Sequence, residues 1–275
     1  MTERTEILTP GPAEGLAGLL GVDLPDLATA GLPALWHWIY LLDRPRQADL
    51  GPDGHPVRGV VPVPPGPGLR RMWASGRVRT LAPLVVGRDA TRTSVVARTQ
   101  EKVGRSGAMT FVTVRHTVAQ GAVVVVEEDQ HIVYRQPPEK VAAAAADDTP
   151  AEVPVVAGEW PIEVTPTLLA RYSALTYNGH RIHYDRDFAR DVEGYPGLLV
   201  HGPLQAVAMA EAARRLLGGA VVPLDFDYRL VAPLFDHQGM IVVARGEGDA
   251  IVTVVRDRWG RHTAEGRLTR LPHPA

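Results

Sequence analysis

The feature that most constrains the fold is an order of segments that occurs twice along the chain. Each half has an apolar segment that is predicted to be helical, residues 35–42 in the first half and Leu199 to Leu217 in the second. Strand-like runs rich in Val and Thr follow at 92–102, 108–118, 121–135, 224–231, 240–247, 250–257 and 261–270. A helix that is apolar on nearly all faces must be buried, and consecutive short strands with turn residues between them favour antiparallel pairing.

Each half therefore predicts a helix wrapped by a mostly antiparallel sheet. Occurring twice, this is a tandem double hot-dog of the α+β class, with two antiparallel sheets that each surround a central helix. Pro203 near the first turn and Gly218 just past the end mark the limits of the second helix. Periodicity alone does not separate this arrangement from another α+β fold.

A break in composition lies between the halves, at residues 137–157. This segment is rich in Ala, Pro and acidic residues and has no aromatic residue, which predicts a linker. The prediction divides the chain into an N-terminal half, 1–136, and a C-terminal half, 158–275. The alternative is a long surface loop within one domain.

Composition excludes several classes of function. The 29 basic and 31 acidic residues give a net charge of -2, which argues against nucleic acid or a membrane surface as a general partner. The absence of cysteine excludes disulfides, thiolate metal sites and cysteine nucleophiles. No apolar run approaches the roughly 18 residues of a membrane helix, and the first residues lack the apolar core of a signal peptide. We therefore expect a cytoplasmic protein.

Candidate chemistry lies in the segment Tyr-Asn-Gly-His-Arg-Ile-His-Tyr-Asp at 177–185. His183 is titratable, and Asn178, five residues upstream, comes within its reach if the chain bends, which Asn178-Gly179 favours. Such a pair can hold water and move a proton. The alternative is a structural histidine held by hydrogen bonds.

The second candidate component is the predicted helix start at Gly202. The first N–H groups of a helix lack partners within the helix, and its dipole is positive there. Gly202 has no side chain, so an oxygen that develops negative charge could approach its backbone. The alternative is a capping turn around a structural His201.

Together these segments carry a resemblance to a known family. Residues 173–185 and 197–204 resemble the MaoC-like (R)-specific enoyl-thioester hydratases. They are more similar to the branch of mitochondrial-type hydroxyacyl-thioester dehydratases and mesaconyl-CoA and itaconyl-CoA hydratases. The resemblance continues in the first half, and covers most of the chain except the linker and both ends. The motifs of the first half are at 35–38, 71–73, 102–107 and 112–116.

The resemblance implies a double hot-dog whose second half carries the chemistry and whose first half shapes the acyl pocket. In the wider family an Asp and a His, five residues apart, hold the water that adds to the double bond. These positions fall on Asn178 and His183, and the Asn is a departure, since an amide cannot act as a general base. We therefore assign His183 as the base and as a candidate for the acid, Asn178 as the residue that orients water, and Gly202 N–H as the donor to the thioester oxygen.

Further substrate-binding candidates accompany these three. A dicarboxylate substrate would need a cation, and Arg71, Arg105 and Arg181 lie in family-like motifs, while Arg229 could meet a coenzyme A phosphate. For each arginine the alternative is a solvated or ion-paired side chain. The other candidates, with structural or supporting roles as the alternative, are Tyr177, His180, His201 and Asp185.

The expected function is a hydro-lyase that interconverts 3-hydroxyacyl-CoA with enoyl-CoA and water. A short branched or dicarboxylyl group, such as mesaconyl, itaconyl or beta-methylmalyl, is favoured over a fatty acyl chain. The resemblance implies no metal and no cofactor, because the coenzyme A thioester is the substrate. The alternatives are a fatty-acid-type dehydratase, a hot-dog thioesterase and a non-catalytic acyl-CoA-binding subunit. The sequence leaves open the acyl group, its carrier, and whether the protein is a monomer or a homodimer.

Overall fold

Ten strands join into one antiparallel sheet in the computed structural model, which describes residues 1–66, 68–104, 107–136 and 150–272. The strands are β1 Thr2–Ile7, β2 Arg70–Thr80, β3 Asp89–Gly104, β4 Gly107–Gln120, β5 Val123–Arg135, β6 Trp160–Ile162, β7 Leu224–Leu230, β8 Met240–Glu247, β9 Ala250–Arg256 and β10 His262–Arg270. The helices are α1 Pro10–Leu20, α2 Pro166–Leu175 and α3 Gly202–Leu216. Strands β3–β5 and β7–β10 lie where the sequence predicts them, with ends that shift by a few residues.

The two halves have the same topology. The strand order across the sheet is β1-β3-β4-β5-β2-β7-β10-β9-β8-β6, so each half has its first strand at an edge and its second strand at the centre. The halves meet where β2 pairs antiparallel with β7, from Ser75 opposite Arg229 to Thr80 opposite Leu224. The expected two sheets are therefore one continuous sheet, because this pairing joins their inner edges.

The central helix that the sequence predicts in each half forms in full only in the second. Helix α3 is buried from Leu204 to Ala213 and packs on β8, β9 and β10. It begins after the predicted Leu199, because the N–H of Leu199 donates to Ile182 O at 3.0 Å and that of Val200 to Leu234 O at 2.8 Å. These bonds hold the two residues in an extended connection and leave the helix to start at Gly202.

In the first half, the prediction of a helix at 35–42 is wrong. A single 3-10 turn, Trp36–Ile39, takes its place. Leu35 and Leu41, on either side of the turn, have left-handed backbones with φ of 69° and 54°, which a right-handed helix cannot include. The turn is held by burial instead, since Trp36 is fully buried in the core.

A buried carboxylate ties this turn to the sheet. Glu128 on β5 accepts hydrogen bonds from His37 Nε2 and Trp38 Nε1, both at 3.0 Å. Burial on its own would raise the pKa of Glu128, but the hydrogen bonds from His37 and Trp38 and the nearby His116 outweigh it and lower the pKa. Glu128 therefore stays ionised and adds two side-chain hydrogen bonds to a turn that has few backbone hydrogen bonds of its own, among them Trp38 N–H to Leu35 O at 3.1 Å.

Part of the predicted linker, 137–149, lies outside the described residues. The part that is described, 150–157, is hydrogen-bonded to the second half. Val153 N–H donates to Arg258 O at 2.7 Å, and Arg256 donates to Pro154 O at 3.1 Å. The division at this segment stays a prediction. Within the described ranges, no helix has both the length and the apolar character that a membrane crossing requires.

Replacing Glu128 by Ala leaves the donors of His37 and Trp38 buried without an acceptor, which we expect to lower the free energy of unfolding by about 3 kcal/mol. Urea denaturation measures the change. The matched control is Glu127→Ala, which removes the neighbouring carboxylate of the half-exposed Arg79 pair and costs less than about 1 kcal/mol. Equal losses in the two variants would contradict the assigned role of Glu128.

Candidate active site

His183 ends a 3-10 turn, Arg181–His183, between α2 and α3. Its Nδ1 lies 2.7 Å from the carbonyl oxygen of Leu199, and since a carbonyl only accepts, Nδ1 carries the proton. The lone pair of the neutral ring is therefore on Nε2, for which the described part of the chain provides no hydrogen-bond partner. Burial lowers the pKa of His183 to about 4, although the Leu199 hydrogen bond opposes the shift. At neutral pH this side chain is an uncharged base.

The His183 ring is stacked on the His201 ring, with centroids 3.7 Å apart and planes 17° apart. His201 precedes the first residue of α3, and its Nε2 lies 2.9 Å from Ser173 Oγ. Its Nδ1 is buried without a hydrogen-bond partner among the described residues. Burial lowers the pKa of His201 well below its usual value, so both stacked rings are neutral. His201 thus covers one face of the base and excludes water from it.

Asn178 builds the bend that brings the segment to His183. Its Oδ1 accepts the N–H of His180 at 3.0 Å, and its own N–H donates to Ser173 O at 2.8 Å. Tyr177 turns the chain with a left-handed backbone, and its ring is exposed, so the structure does not bring that ring to the histidines. Because Oδ1 is engaged, the free capacity of Asn178 is its two Nδ2 hydrogens.

Gly202 is the first residue of α3 and is half-buried. No acceptor for its N–H occurs in the described ranges, as expected for the first turn of a helix. A Cβ at this position would collide with Cδ1 of Leu230 on β7. Any larger residue at this position would therefore require the Leu230 side chain to move, and the N–H at the positive end of the helix dipole stays available.

Two residues of the first half, which the sequence analysis missed, complete the cluster. The ring of His55 packs on that of His180 with centroids 3.9 Å apart, and His180 meets His183 edge-on at 5.4 Å. The same loop contacts the second half through Asp53 O, which accepts the N–H of Arg181 at 2.9 Å. The pattern Asp53-Gly54-His55 was a signal for a polar turn, but nothing in its spacing linked it to His180.

Asp53 and His55 are hydrogen-bonded to each other. Asp53 Oδ1 accepts the N–H of His55 at 3.0 Å, and Oδ2 lies 3.3 Å from His55 Nδ1. Burial lowers the pKa of His55 despite Asp53, and it lowers that of His180 well below the usual value. One ligand atom from each of these three residues lies within 4.8 Å of the others. The rings of His55 and His180 are tilted by 38°, and both carboxylate oxygens of Asp53 are already engaged by His55, so these contacts are those of a hydrogen-bonded cluster.

The arginine candidates divide by their partners. Arg181 pairs with Asp185 at 2.8 Å and stacks on Phe188, and Arg229 pairs with Glu265 at 2.6 Å on the exposed side of β7. Arg71 on β2 is half-buried and makes no ion pair with any described residue. Arg105 lies outside the described residues, so its role stays a prediction.

Two sequence comparisons with known proteins give matches over most of the chain. Residues 35–236 match the family model of hydroxyacyl-thioester dehydratase type 2. Over 226 residues the chain is 46% identical to mesaconyl-C(4)-CoA hydratase of Chloroflexus aurantiacus, which covers 82% of this chain and 78% of that protein.

Solved structures match at the level of the fold. HtdX of Mycobacterium tuberculosis aligns with a TM-score of 0.66 at 14% identity, over 98% of this chain and 100% of that one. A second Mycobacterium tuberculosis protein, described as having a double hotdog fold, aligns with a TM-score of 0.54 at 17% identity, over 97% and 93% of the two chains. These matches confirm the predicted double hot-dog fold.

Gly54 is where the loop of the first half docks on the histidine segment. It has a φ of +83°, and a Cβ would collide with the carbonyl oxygen of Gly179. We expect Gly54→Ala to lower the free energy of unfolding by about 3 kcal/mol, the sum of left-handed strain and the collision. Gly59→Ala is the control, because Gly59 is also left-handed, at +71°, but a Cβ there meets open space. Urea denaturation of both variants measures the difference, and equal losses would leave strain alone as the cause.

Proposed function

The chain belongs to the hydroxyacyl-thioester dehydratase type 2 family, and from this we propose that it reversibly adds water to the C2–C3 double bond of an enoyl-CoA thioester. It is a hydro-lyase, and we assign it a short branched or dicarboxylyl substrate such as mesaconyl-, itaconyl- or beta-methylmalyl-CoA. The 46% identity to a mesaconyl-C(4)-CoA hydratase supports this substrate class. The observation that carries the proposal is a neutral His183 with an unengaged Nε2 near the start of α3.

In the direction of hydration, His183 Nε2 removes a proton from water while the water oxygen forms a bond to C3. The electron pair of the double bond moves toward C1, which gives an enolate with its charge on the thioester oxygen. Asn178 Nδ2 donates to the water and orients it, and the Gly202 N–H donates to the enolate oxygen. A backbone donor of this kind, held in place before the reaction, stabilises the developing charge without reorganisation.

In the second step, protonated His183 returns its proton to C2, and the enolate electron pair forms the new C–H bond. The thioester carbonyl is restored and the base is neutral again. Because one group handles both protons, H and OH add to the same face of the double bond. This use of a single base follows from Asn178, since an amide does not accept a proton at ordinary pH.

The thioesterase alternative has less support. It calls for a carboxylate at the thioester, and position 178 carries an amide. Asp53, the carboxylate that the structure adds to the cluster, is engaged by the backbone N–H and the ring of His55. Release of free thiol from the substrates below, followed with a thiol-trapping reagent, would favour that alternative over hydration.

Removal of the base tests the proposal. We expect His183→Ala to lower kcat for crotonyl-CoA or mesaconyl-C(4)-CoA by about a thousandfold, because general acid–base catalysis contributes on that scale. Loss of the conjugated thioester absorbance measures the rate. The control is His262→Ala, which removes an exposed imidazole on β10 and leaves the rate unchanged. A His183→Ala enzyme as active as the wild type would contradict the assignment.

The pH dependence gives a second test. As a base His183 must be neutral, and since its pKa is lowered to about 4, we expect kcat/KM to fall only as the pH drops toward that value. An acid limb at the ordinary imidazole value of about 6.5 would contradict this.

Stability must be followed at each pH, because the same shift acts on folding. Between about pH 6.5 and pH 4 the unfolded chain binds the His183 proton and the folded chain does not. The folded state therefore loses stability as the pH falls through this range, which thermal unfolding separates from loss of the base.

A further inference from the structure

We propose that Arg71, together with the hydroxyl of Tyr134, binds the free carboxylate of a dicarboxylyl-CoA substrate. This inference rests on the proposed hydratase function and adds the residues that select the acyl group. It assigns the selection to the first half of the chain, whereas the proton transfer is assigned to the second half.

The charge of Arg71 is not neutralised by any described carboxylate. Its neighbour Arg70 pairs with Glu193 at 2.6 Å, and Arg79 on the same strand pairs with Glu127 at 2.8 Å. Arg71 is half-buried and has no carboxylate partner among the described residues. Partial burial of a guanidinium without an anion is unfavourable, so a ligand anion at this place would be bound with a gain that the paired arginines cannot offer.

Arg71 lies close to the histidine cluster of the candidate active site. Antiparallel pairing sets Ser75 of β2 opposite Arg229 near the C-terminal end of β7, so Arg71, four residues earlier on β2, lies past that end. Leu230, the last residue of β7, contacts Gly202 at the start of α3. The charge of Arg71 contributes to lowering the pKa of both His55 and His180, so its guanidinium lies close to the histidine cluster.

A buried hydrogen-bond donor, the hydroxyl of Tyr134, lies next to Arg71. Tyr134 on β5 is the cross-strand partner of Arg71, and such pairs lie side by side on one face of a sheet. Tyr134 is 1% exposed, and no acceptor for its hydroxyl hydrogen occurs in the described ranges. Burial raises the pKa of this hydroxyl, and the charge of Arg71 and a hydrogen bond from its guanidinium oppose the rise. A buried O–H without an acceptor costs about 1–3 kcal/mol and is satisfied by a carboxylate oxygen.

Arg71 lies on the face of β2 that points into the molecule. Residues two apart on a strand share a face, so Arg71 lies on the same face as Trp73, whose Nε1 donates to Tyr228 OH at 2.7 Å inside the molecule. The guanidinium and the Tyr134 hydroxyl thus form a set of donors on the inner side of the sheet. A planar carboxylate accepts two parallel N–H bonds from an arginine and keeps a lone pair for the hydroxyl.

Two substrates that differ in the free carboxylate test the proposal. We measure kcat/KM of the wild type, Arg71→Gln and Tyr134→Phe with mesaconyl-C(4)-CoA, which carries a carboxylate, and with crotonyl-CoA, which does not. For mesaconyl-C(4)-CoA we expect a loss of about a hundredfold in Arg71→Gln and about fivefold in Tyr134→Phe, mostly in KM. For crotonyl-CoA the changes stay within about threefold. Arg79→Gln, which removes a paired arginine from the same strand, is the control and affects neither substrate.

Each contrary outcome has a separate meaning. Equal losses for both substrates would overturn the proposal, because they place Arg71 on the coenzyme A phosphates or in the structure. Unchanged rates with mesaconyl-C(4)-CoA would overturn it as well. If the wild type hydrates crotonyl-CoA alone, the proposal fails and the hydratase function stands, whereas no turnover of either substrate contradicts the function itself. If Arg71→Gln does not fold, Arg71→Lys and Tyr134→Phe decide by the same comparison of substrates.

Discussion

The main-chain pairing of β2 with β7 is the contact on which the rest of the structure depends. It joins two halves of the same topology into one sheet, and it places Ser75, in the middle of β2, opposite Arg229 near the end of β7. The loop that carries Asp53 and His55 precedes β2, and Leu230 at the end of β7 contacts the start of α3. One set of backbone hydrogen bonds therefore brings a loop of the first half to the helix start of the second. A site built this way requires both halves to be folded together.

Burial controls the chemistry of the histidines at this junction. Burial disfavours the charged form of His183, whereas the hydrogen bond from His183 Nδ1 to Leu199 O opposes that shift and fixes the tautomer of the neutral ring, with the lone pair on Nε2. The stack with His201 removes water from one face of the ring, and His201 Nδ1 is left without a partner among the described residues. Such an atom costs about 1–3 kcal/mol. This arrangement keeps the base neutral and shielded from water, although it leaves a buried nitrogen of His201 without a hydrogen bond.

The two halves share one topology and differ in the element that follows the first helix. Thr9-Pro10 begins α1 directly after β1, and Thr165-Pro166 begins α2 after β6, so both halves open in the same way. The second half then builds a long buried helix, whereas the first builds one 3-10 turn that Glu128 ties to the sheet. The chain that is not used for a helix becomes the loop that contacts the histidine segment. A loop is free to take a shape set by its contacts, which suits it to positioning polar groups.

The sequence by itself determined the elements whose cause is local. The apolar character of α3, the alternation and turns of β3–β5 and β7–β10, and the bend at Asn178-Gly179 depend on neighbouring residues, and all of them are found. The motif around His183 and Gly202 was recognisable for the same reason. The helix predicted at 35–42 was wrong because apolar composition does not distinguish a helix from a buried turn held by a distant carboxylate.

Only the tertiary structure decided which distant groups meet. His55 lies 125 positions before His180 in the sequence, yet their rings pack at 3.9 Å. Arg71, Arg181 and Arg229 are alike as candidates from the sequence, and they differ in whether the fold brings a carboxylate to them. Charge, burial and hydrogen bonding act through space, so the pKa of His183 and the unpaired state of Arg71 depend on contacts that the spacing of residues along one chain does not contain.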